Sequence, residues 1–210
     1  MKGWKPLLGW AVAWLVLCVA VKAGLARGLD QTVESWVSGW RAPGMDPAMR
    51  ASSLFGSLPW MAVVVGIMAW RWWRRREWTH AAAFTATLGL GIALHVLTRV
   101  LVQQGRPDAL AEAATPLTLA DRVRLAGFPS GHAFRSAFIY GWGIRVLRRM
   151  RGRWSRAEAA AGVVLILVVG FTRLYWHRHW ASDVIGGWGL ALGVLVATSQ
   201  ASREADERLG

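Results

Sequence analysis

The segment that organises this chain reads FTRLYWHRHWASDVIGG and occupies residues 171–187, between two apolar runs. His179 and Asp183 are four residues apart, and on a helix this spacing brings two side chains onto one face, where a carboxylate can accept a hydrogen bond from an imidazole. A histidine oriented in this way can act as a base or a nucleophile. Arg173 precedes it closely enough to bind an anion that the histidine attacks. The segment therefore predicts a reactive histidine, with a purely structural hydrogen bond as the alternative.

The composition predicts a membrane protein. Over 210 residues, 54% are hydrophobic and the mean hydropathy is +0.31, which is too apolar for an ordinary soluble protein of this size. In a soluble protein the net charge of +13 would suggest nucleic-acid binding, but here the arginines cluster at the ends of apolar runs. We interpret them as topology signals and contacts with lipid headgroups, and expect no nucleic-acid partner. Cys18 is the single cysteine, so no intrachain disulfide is possible.

The acidic residues are too few and too scattered to predict a metal site. The sequence contains 12 Asp and Glu residues, and no His-Glu-x-x-His helix occurs. Metal-assisted hydrolysis is therefore disfavoured, and we expect neither a metal nor another cofactor.

Apolar runs divide the chain into six predicted membrane helices, so that residues 1–210 form one all-α, polytopic domain. The predicted spans are residues 6–21, 51–70, 78–98, about 128–144, 159–172 and 184–202. The first run also fits a signal peptide, but the lysine in its would-be cleavage motif, Val21-Lys22-Ala23, favours an uncleaved helix. Residues 23–50 have the composition of a surface segment with a short amphipathic helix.

The distribution of lysine and arginine predicts the orientation in the membrane. One side collects Lys2, Lys5, Arg71, Arg74, Arg75, Arg76, the six arginines from Arg145 to Arg156, Arg203 and Arg208. Because cytoplasmic loops carry an excess of these residues, both termini are expected in the cytoplasm. The loops after the first, third and fifth spans then lie on the outer face, which in a bacterial inner membrane is the periplasmic face.

Two further polar stretches fall on that outer face. Arg99, Arg106 and Pro107 belong to a long polar segment after the third span, and Pro129-Ser130-Gly131-His132 opens the fourth span. A helix that begins near Ser130 leaves free backbone N–H groups at its N-terminus, which bind anions readily. Arg135 lies one turn inside this helix, where a charge facing lipid is costly, so it is expected to face the protein interior or the polar site. His80 and His95 are interpreted as polar groups bonded between helices.

Together, the three stretches resemble the type 2 phosphatidic acid phosphatase (PAP2) superfamily. Its signature is Lys-x6-Arg-Pro, then Pro-Ser-Gly-His, then Ser-Arg-x5-His-x3-Asp. The matching positions here are Arg99-x6-Arg106-Pro107, Pro129-Ser130-Gly131-His132 and Thr172-Arg173-x5-His179-x3-Asp183. The spacing agrees throughout the core motifs, residues 99–187. Arg99 and Thr172 depart from the family's lysine and serine, and because Arg and Lys bind anions with different geometry, the position of the phosphate could differ.

The resemblance implies phosphoryl transfer through a phosphohistidine that water hydrolyses. In this scheme His179 is the nucleophile, Asp183 orients it, and His132 protonates the leaving oxygen. The phosphate oxygens would be held without a metal by Arg99, Arg106, Arg173, Ser130 and the backbone N–H of Gly131. His177 is the competing nucleophile candidate, but it lies six residues before Asp183 and therefore off the same helical face.

The function expected from the resemblance is that of a membrane lipid phosphatase. Undecaprenyl pyrophosphate, phosphatidylglycerol phosphate and phosphatidic acid are all consistent substrates, with the lipid bilayer as the surrounding partner. A lipid-to-lipid phosphotransferase that uses the same site is an open alternative. A membrane carrier without catalysis would leave the three motifs as coincidence, and a soluble vanadate-dependent peroxidase is disfavoured by the apolar spans.

Overall fold

The structure is a computed structural model that describes residues 4–107, 118–151 and 156–209, with side chains described for 5–107, 118–145 and 157–198. All regular elements in these ranges are helices. In chain order they are α1 (Trp4–Lys22), α2 (Arg27–Ser38), a 3₁₀ turn (Pro43–Met45), α3 (Asp46–Leu54), α4 (Leu58–Arg75), α5 (Trp78–Val102), α6 (Leu119–Leu125), α7 (Gly131–Arg151), α8 (Arg156–Tyr175) and α9 (Ala181–Leu209). The all-α prediction is therefore confirmed over the described residues.

Four of the described helices are long and apolar enough to cross a bilayer: α1, α5, α8 and α9. A fifth candidate is the bent unit Pro43–Leu54 plus Leu58–Arg75, whose two parts meet at 40°. α7 is 21 residues long, but Arg135 near its start and four arginines in its last seven residues lower its hydropathy. The described helices thus support a polytopic membrane protein with four or five clear spans, and the count of six remains a prediction.

Three predicted boundaries differ from the structure. The run at residues 51–70 is interrupted at Phe55–Ser57, where Ser57 caps α4 by accepting the backbone N–H of Trp60 (3.3 Å). The predicted surface segment contains two helices, α2 and α3, instead of one. The polar C-terminal tail expected after residue 202 continues the helix of α9 to Leu209. Side chains of the basic segment from Val146 to Arg156, and the part of the polar loop at 108–117, lie outside the described residues.

α7 and α9 pack side by side at the centre of the bundle. Close contact is possible because a Cβ on Gly187 would lie 2.6 Å from the carbonyl oxygen of Ser130, a position that only glycine tolerates. Further along the pair, Arg145 of α7 donates to the carbonyl of Leu195 in α9 (3.2 Å). The two helices therefore run parallel, with both N-termini at one end of the bundle.

The C-termini of α1 and α5 lie at this same end of the bundle. Lys22 at the end of α1 donates to the carbonyl of Leu101 at the end of α5 (2.8 Å). The backbone N–H of Ser130, just before α7, donates to the carbonyl of Asp183 in the first turn of α9 (2.9 Å). This convergence brings segments that are far apart in the sequence to a single polar site.

Candidate functional site

His179 and Asp183 form the predicted pair, but they do not share a helix face. α9 begins at Ala181, so His179 lies in the connection before it. The Asp183 carboxylate reaches back over the helix N-terminus, where Oδ2 lies 3.1 Å from Nδ1 of His179 and accepts the backbone N–H of Trp180 (3.0 Å). A carboxylate in the first turn complements the partial positive charge of the helix N-terminus. The contact predicted from the four-residue spacing is therefore present, but it forms across the N-terminus of α9 and not along one face of a helix.

A buried carboxylate on α2 stabilises the segment that carries this pair. Asp30 is 2% exposed, and its oxygens accept the backbone N–H (2.8 Å) and the hydroxyl (2.7 Å) of Ser182. Gln104, after α5, also donates to Asp30 (3.3 Å). Because Ser182 is the residue immediately before Asp183, this network fixes the first turn of α9. Nothing in the spacing of the motifs pointed to Asp30, since α2 is remote from them in sequence.

The N-terminus of α7 provides the second part of the site. Ser130 is fully buried, its carbonyl accepts the N–H of Phe134 to start the helix, and its Oγ has no hydrogen-bond partner among the described residues. His132 lies in the first turn, where Arg106, Arg135, Arg173 and His179 are near enough to interact with it electrostatically. A buried hydroxyl without a partner, beside free helix N–H groups and cations, is suited to accept an anion.

Arg99 and Arg106 approach from the end of α5. Arg99 is 8% exposed and donates to the carbonyls of Val123 (2.7 Å) and Pro129 (3.2 Å). Arg106 donates to the carbonyl of Arg124 (2.9 Å). In both arginines Nε is buried and has no partner among the described residues. Donors buried without acceptors carry a free-energy cost that an anionic ligand would remove.

Two more arginines form hydrogen bonds at the break between α3 and α4 or in the last turn of α3 before it. Arg173 at the end of α8 donates to Thr172 Oγ1 (3.2 Å) and to the hydroxyl of Ser53. Arg135 donates through Nε to the carbonyl of Gly56 (3.0 Å), and its Nη2 lies 3.2 Å from Nδ1 of His132. The expectation that Arg135 faces the interior is therefore confirmed. The helix break, which the apolar pattern of residues 51–70 did not predict, provides its acceptor.

Two other histidines have structural partners, whereas His80, which was expected to bond between helices, has a buried Nδ1 without a hydrogen-bond partner among the described residues. His177 contacts Glu34 of α2, with Nδ1 3.1 Å from the carboxylate, and His95 contacts the carbonyl of Pro129 (3.1 Å). Over the described residues, no group of three His, Cys, Asp or Glu side chains is arranged to hold a metal ion.

A cleft of about 490 Å³ opens beside the site, between the end of α1, the start of α2 and the end of α5. Its wall includes Lys22, Arg27, Gln103, Arg106 and Trp180. Arg106 and Trp180 connect the cleft to the site itself. The basic and amide side chains suit a polar, anionic headgroup larger than phosphate alone.

Comparisons with known proteins agree with this architecture. Residues 80–206 match the model of the PAP2 superfamily. Phosphatidylglycerophosphatase B of Bacillus subtilis (strain 168) is 23% identical over 184 residues, which cover 85% of this chain and 86% of that protein. The crystal structure of a transmembrane PAP2-type phosphatidylglycerolphosphate phosphatase from Bacillus subtilis superposes with a TM-score of 0.77 at 20% identity, covering 96% of this chain and 97% of the other.

Proposed function

This chain belongs to the PAP2 superfamily and is a membrane phosphatase, and from this premise we propose that it hydrolyses a lipid phosphate through a phosphohistidine, without a metal ion. The observation that carries the proposal is the set of buried donors at one end of the bundle. Ser130 Oγ and the Nε atoms of Arg99 and Arg106 have no acceptor among the described residues. Arg106 and His179 are also near enough to His132 to interact with it electrostatically.

His179 is the proposed nucleophile. Its Nδ1 is bonded to Asp183, so Nε2 attacks the phosphorus atom and the bond from phosphorus to the lipid oxygen breaks. The electron pair of that bond goes to the leaving oxygen, which takes a proton from His132. Water then attacks the phosphorus atom of the phosphohistidine and gives a proton to His132, while the bond from phosphorus to Nε2 of His179 breaks, its electron pair returns to Nε2 and phosphate leaves. Each histidine finishes the cycle in the state in which it began.

The phosphate-binding group consists of Arg99, Arg106, Arg173, Ser130 and the backbone N–H of Gly131. Arginine and helix N–H donors together neutralise the charge on the equatorial oxygens, the task that magnesium performs in kinases. The supporting observation is that Arg99 donates to the carbonyl of Pro129, just before α7, and that Arg106 and Arg173 are near enough to His132 in its first turn to interact with it electrostatically.

The proposed substrate is a lipid whose terminal phosphate follows a polar headgroup. Phosphatidylglycerol phosphate fits this description, because its glycerol and inner phosphodiester would extend into the basic cleft beside Arg106. Undecaprenyl pyrophosphate and phosphatidic acid are the competing substrates. The bilayer supplies all three.

Phosphate release tests the reaction and its substrate together. Purified protein in detergent receives each of the three lipids in excess EDTA, with and without an added lipid alcohol. We expect free phosphate from all three, fastest from phosphatidylglycerol phosphate and independent of EDTA. Activity that vanished with the chelator and returned with magnesium would refute the metal-free mechanism. Turnover only with the added lipid alcohol, with the phosphate recovered on that alcohol and not free in solution, would identify a phosphotransferase.

The proposed topology is a single domain of six spans in a bacterial inner membrane, with both termini cytoplasmic and the site periplasmic. It is supported by the six helices of at least 18 residues in the described chain, α1, α4, α5, α7, α8 and α9, which alternate in direction. In a Cys18→Ala background, Ala120→Cys should react with an impermeant maleimide in intact cells and Gly152→Cys should not. The reverse labelling would place the site in the cytoplasm.

A further inference from the structure

Arg135 is a charged residue inside α7 that the proposed reaction does not use. Its guanidinium is held between two partners, the carbonyl of Gly56 at the α3–α4 break and Nδ1 of His132 one turn earlier in α7. It also lies close to the helix start, since a Cβ on Gly131 would be 3.0 Å from Nη1 of Arg135. A charge inside a membrane helix is costly in free energy, so an arginine beside the proposed proton donor is expected to have a function.

The hydrogen bond between Arg135 and Nδ1 of His132 can run in only one direction. An arginine side chain carries N–H donors and no acceptor, and it stays charged in proteins. Nδ1 of His132 can therefore accept this hydrogen bond only when it carries no proton. The ring of His132 is then the neutral tautomer with its proton on Nε2.

His179 has the opposite arrangement. A carboxylate lies against its Nδ1, and a carboxylate only accepts, so Nδ1 of His179 carries the proton and Nε2 keeps its lone pair. In the two histidines of the site, the same ring atom thus has opposite partners: Nδ1 of His132 faces a hydrogen-bond donor, and Nδ1 of His179 faces an acceptor. One is prepared as a nucleophile at Nε2 and the other as a proton donor at Nε2.

We infer that Arg135 is a positioning residue that holds His132 in the Nε2–H tautomer and directs this N–H to the leaving oxygen. The inference rests on the proposed role of His132. As the bond from phosphorus to the leaving oxygen breaks, the oxygen takes the proton from Nε2, and the electron pair of the N–H bond stays on the ring. The guanidinium at Nδ1 neutralises the resulting ring anion until the attacking water returns a proton to Nε2.

The largest electrostatic influences on His132 in the described part of the chain come from three arginines and His179, and none of them is a carboxylate. The facing charged and titratable groups are Arg173 from α8, Arg106 from the segment after α5, and His179 from the connection before α9. His95 of α5 lies behind Gly131, 3.6 Å from the position of a Cβ there. None of these groups is bonded to Nδ1 of His132, so Arg135 alone of them sets its tautomer.

Nitrogen NMR of the resting enzyme tests the tautomer directly. The protein is labelled with ¹⁵N-histidine in detergent micelles, and the His132 signals are assigned by their loss in His132→Gln. We expect Nδ1 of His132 to be unprotonated and Nε2 protonated, and Arg135→Met to give the averaged signals of two exchanging tautomers. A protonated Nδ1 in the wild-type protein would overturn the inference. Because no substrate is present, this result is independent of the proposed nucleophile and lipid.

Kinetics then separate positioning from phosphate binding. Arg135→Met should lower kcat on a lipid phosphate by about 10- to 100-fold, the range for loss of a hydrogen bond to a charged group, and leave KM within about twofold. With a nitrophenyl phosphate, whose leaving group needs no proton, the loss should nearly disappear. Arg145→Met is the matched control on the same helix, where the guanidinium bonds Leu195 and stacks on Trp142, and it should show no such dependence on leaving group. A raised KM on both substrates, or equal losses in kcat, would make Arg135 a phosphate ligand and overturn the inference.

Discussion

Two imidazole–carboxylate pairs lie side by side in this molecule, His179–Asp183 and His177–Glu34. In both, the ring Nδ1 is 3.1 Å from a carboxylate oxygen. They differ in their surroundings. The side chains of the first pair are 6% and 0% exposed, and those of the second are 24% and 32% exposed.

If His179 is the proposed nucleophile and His177 is not, contact distance alone does not distinguish a reactive histidine from a structural one, and burial does. Around His179, burial removes the competing water and strengthens every electrostatic interaction. Around His177, solvent screens the pair, and exposed pairs of this kind contribute about 0–1 kcal/mol. The mutations below test this contrast, from the largest expected effect to the smallest.

His179→Ala should abolish turnover of every substrate, a loss of at least about 10⁴-fold, because no phosphohistidine can form without the nucleophile. Phosphate release from a lipid and from a nitrophenyl phosphate measures it. Turnover that survives in this variant would remove the nucleophile assignment and return His177 to consideration.

Asp183→Asn should retain the imidazole but lose the support for its tautomer and its developing charge. The expected loss in kcat is about 10²- to 10⁴-fold, by analogy with the carboxylate of a catalytic triad. Steady-state kinetics on a lipid phosphate measure it, with Glu34→Gln as the matched control from the exposed pair. Equal losses in the two variants would show that burial does not separate the pairs.

His132→Ala should lose about 10²- to 10⁴-fold on a lipid phosphate, the contribution of a positioned general acid. With a nitrophenyl phosphate the leaving group is already a stable anion, so the loss should be much smaller. The ratio of the two losses is the informative measurement. A ratio near one would contradict the acid role.

Asp30→Ala should reduce both stability and activity, since it removes the acceptor of two hydrogen bonds from Ser182 at the start of α9. The free energy of unfolding should fall by about 1–3 kcal/mol, the cost of leaving buried donors unpaired. Glu34→Ala, four residues later on the same helix, should cost no more than about 1 kcal/mol. Thermal or denaturant unfolding in detergent compares the two, and a larger effect from Glu34→Ala would refute the bracing role of Asp30.

His177→Ala should have the smallest effect. Its exposed pairing predicts a change in kcat within about twofold and a change in unfolding free energy within about 0.5 kcal/mol. The same phosphate-release and unfolding assays measure both quantities. A loss comparable to that of His179→Ala would erase the contrast between the two pairs.

Local chemistry determined much of this protein in advance. The apolar runs predicted an all-α membrane fold because a bilayer admits a spanning helix only where side chains are apolar over about 20 residues. The candidate site was predicted because one set of residues matches the PAP2 signature at the right spacing and the expected topology put this set on one side of the membrane: Arg99, Arg106, Ser130, His132, Arg173, His179 and Asp183. These predictions depend only on the order of residues along the chain.

The remaining features depended on which helices pack together. Asp30 supports α9 only because α2 folds back over its first turn, and Arg135 reaches the carbonyl of Gly56 only because α3 and α4 separate at that point. His179 meets Asp183 across a helix N-terminus and not along a helix face. The contacts of Asp30 with Ser182 and of Arg135 with Gly56 join residues far apart in the sequence through packing that no periodicity encodes, so these supporting partners were decided by the tertiary structure.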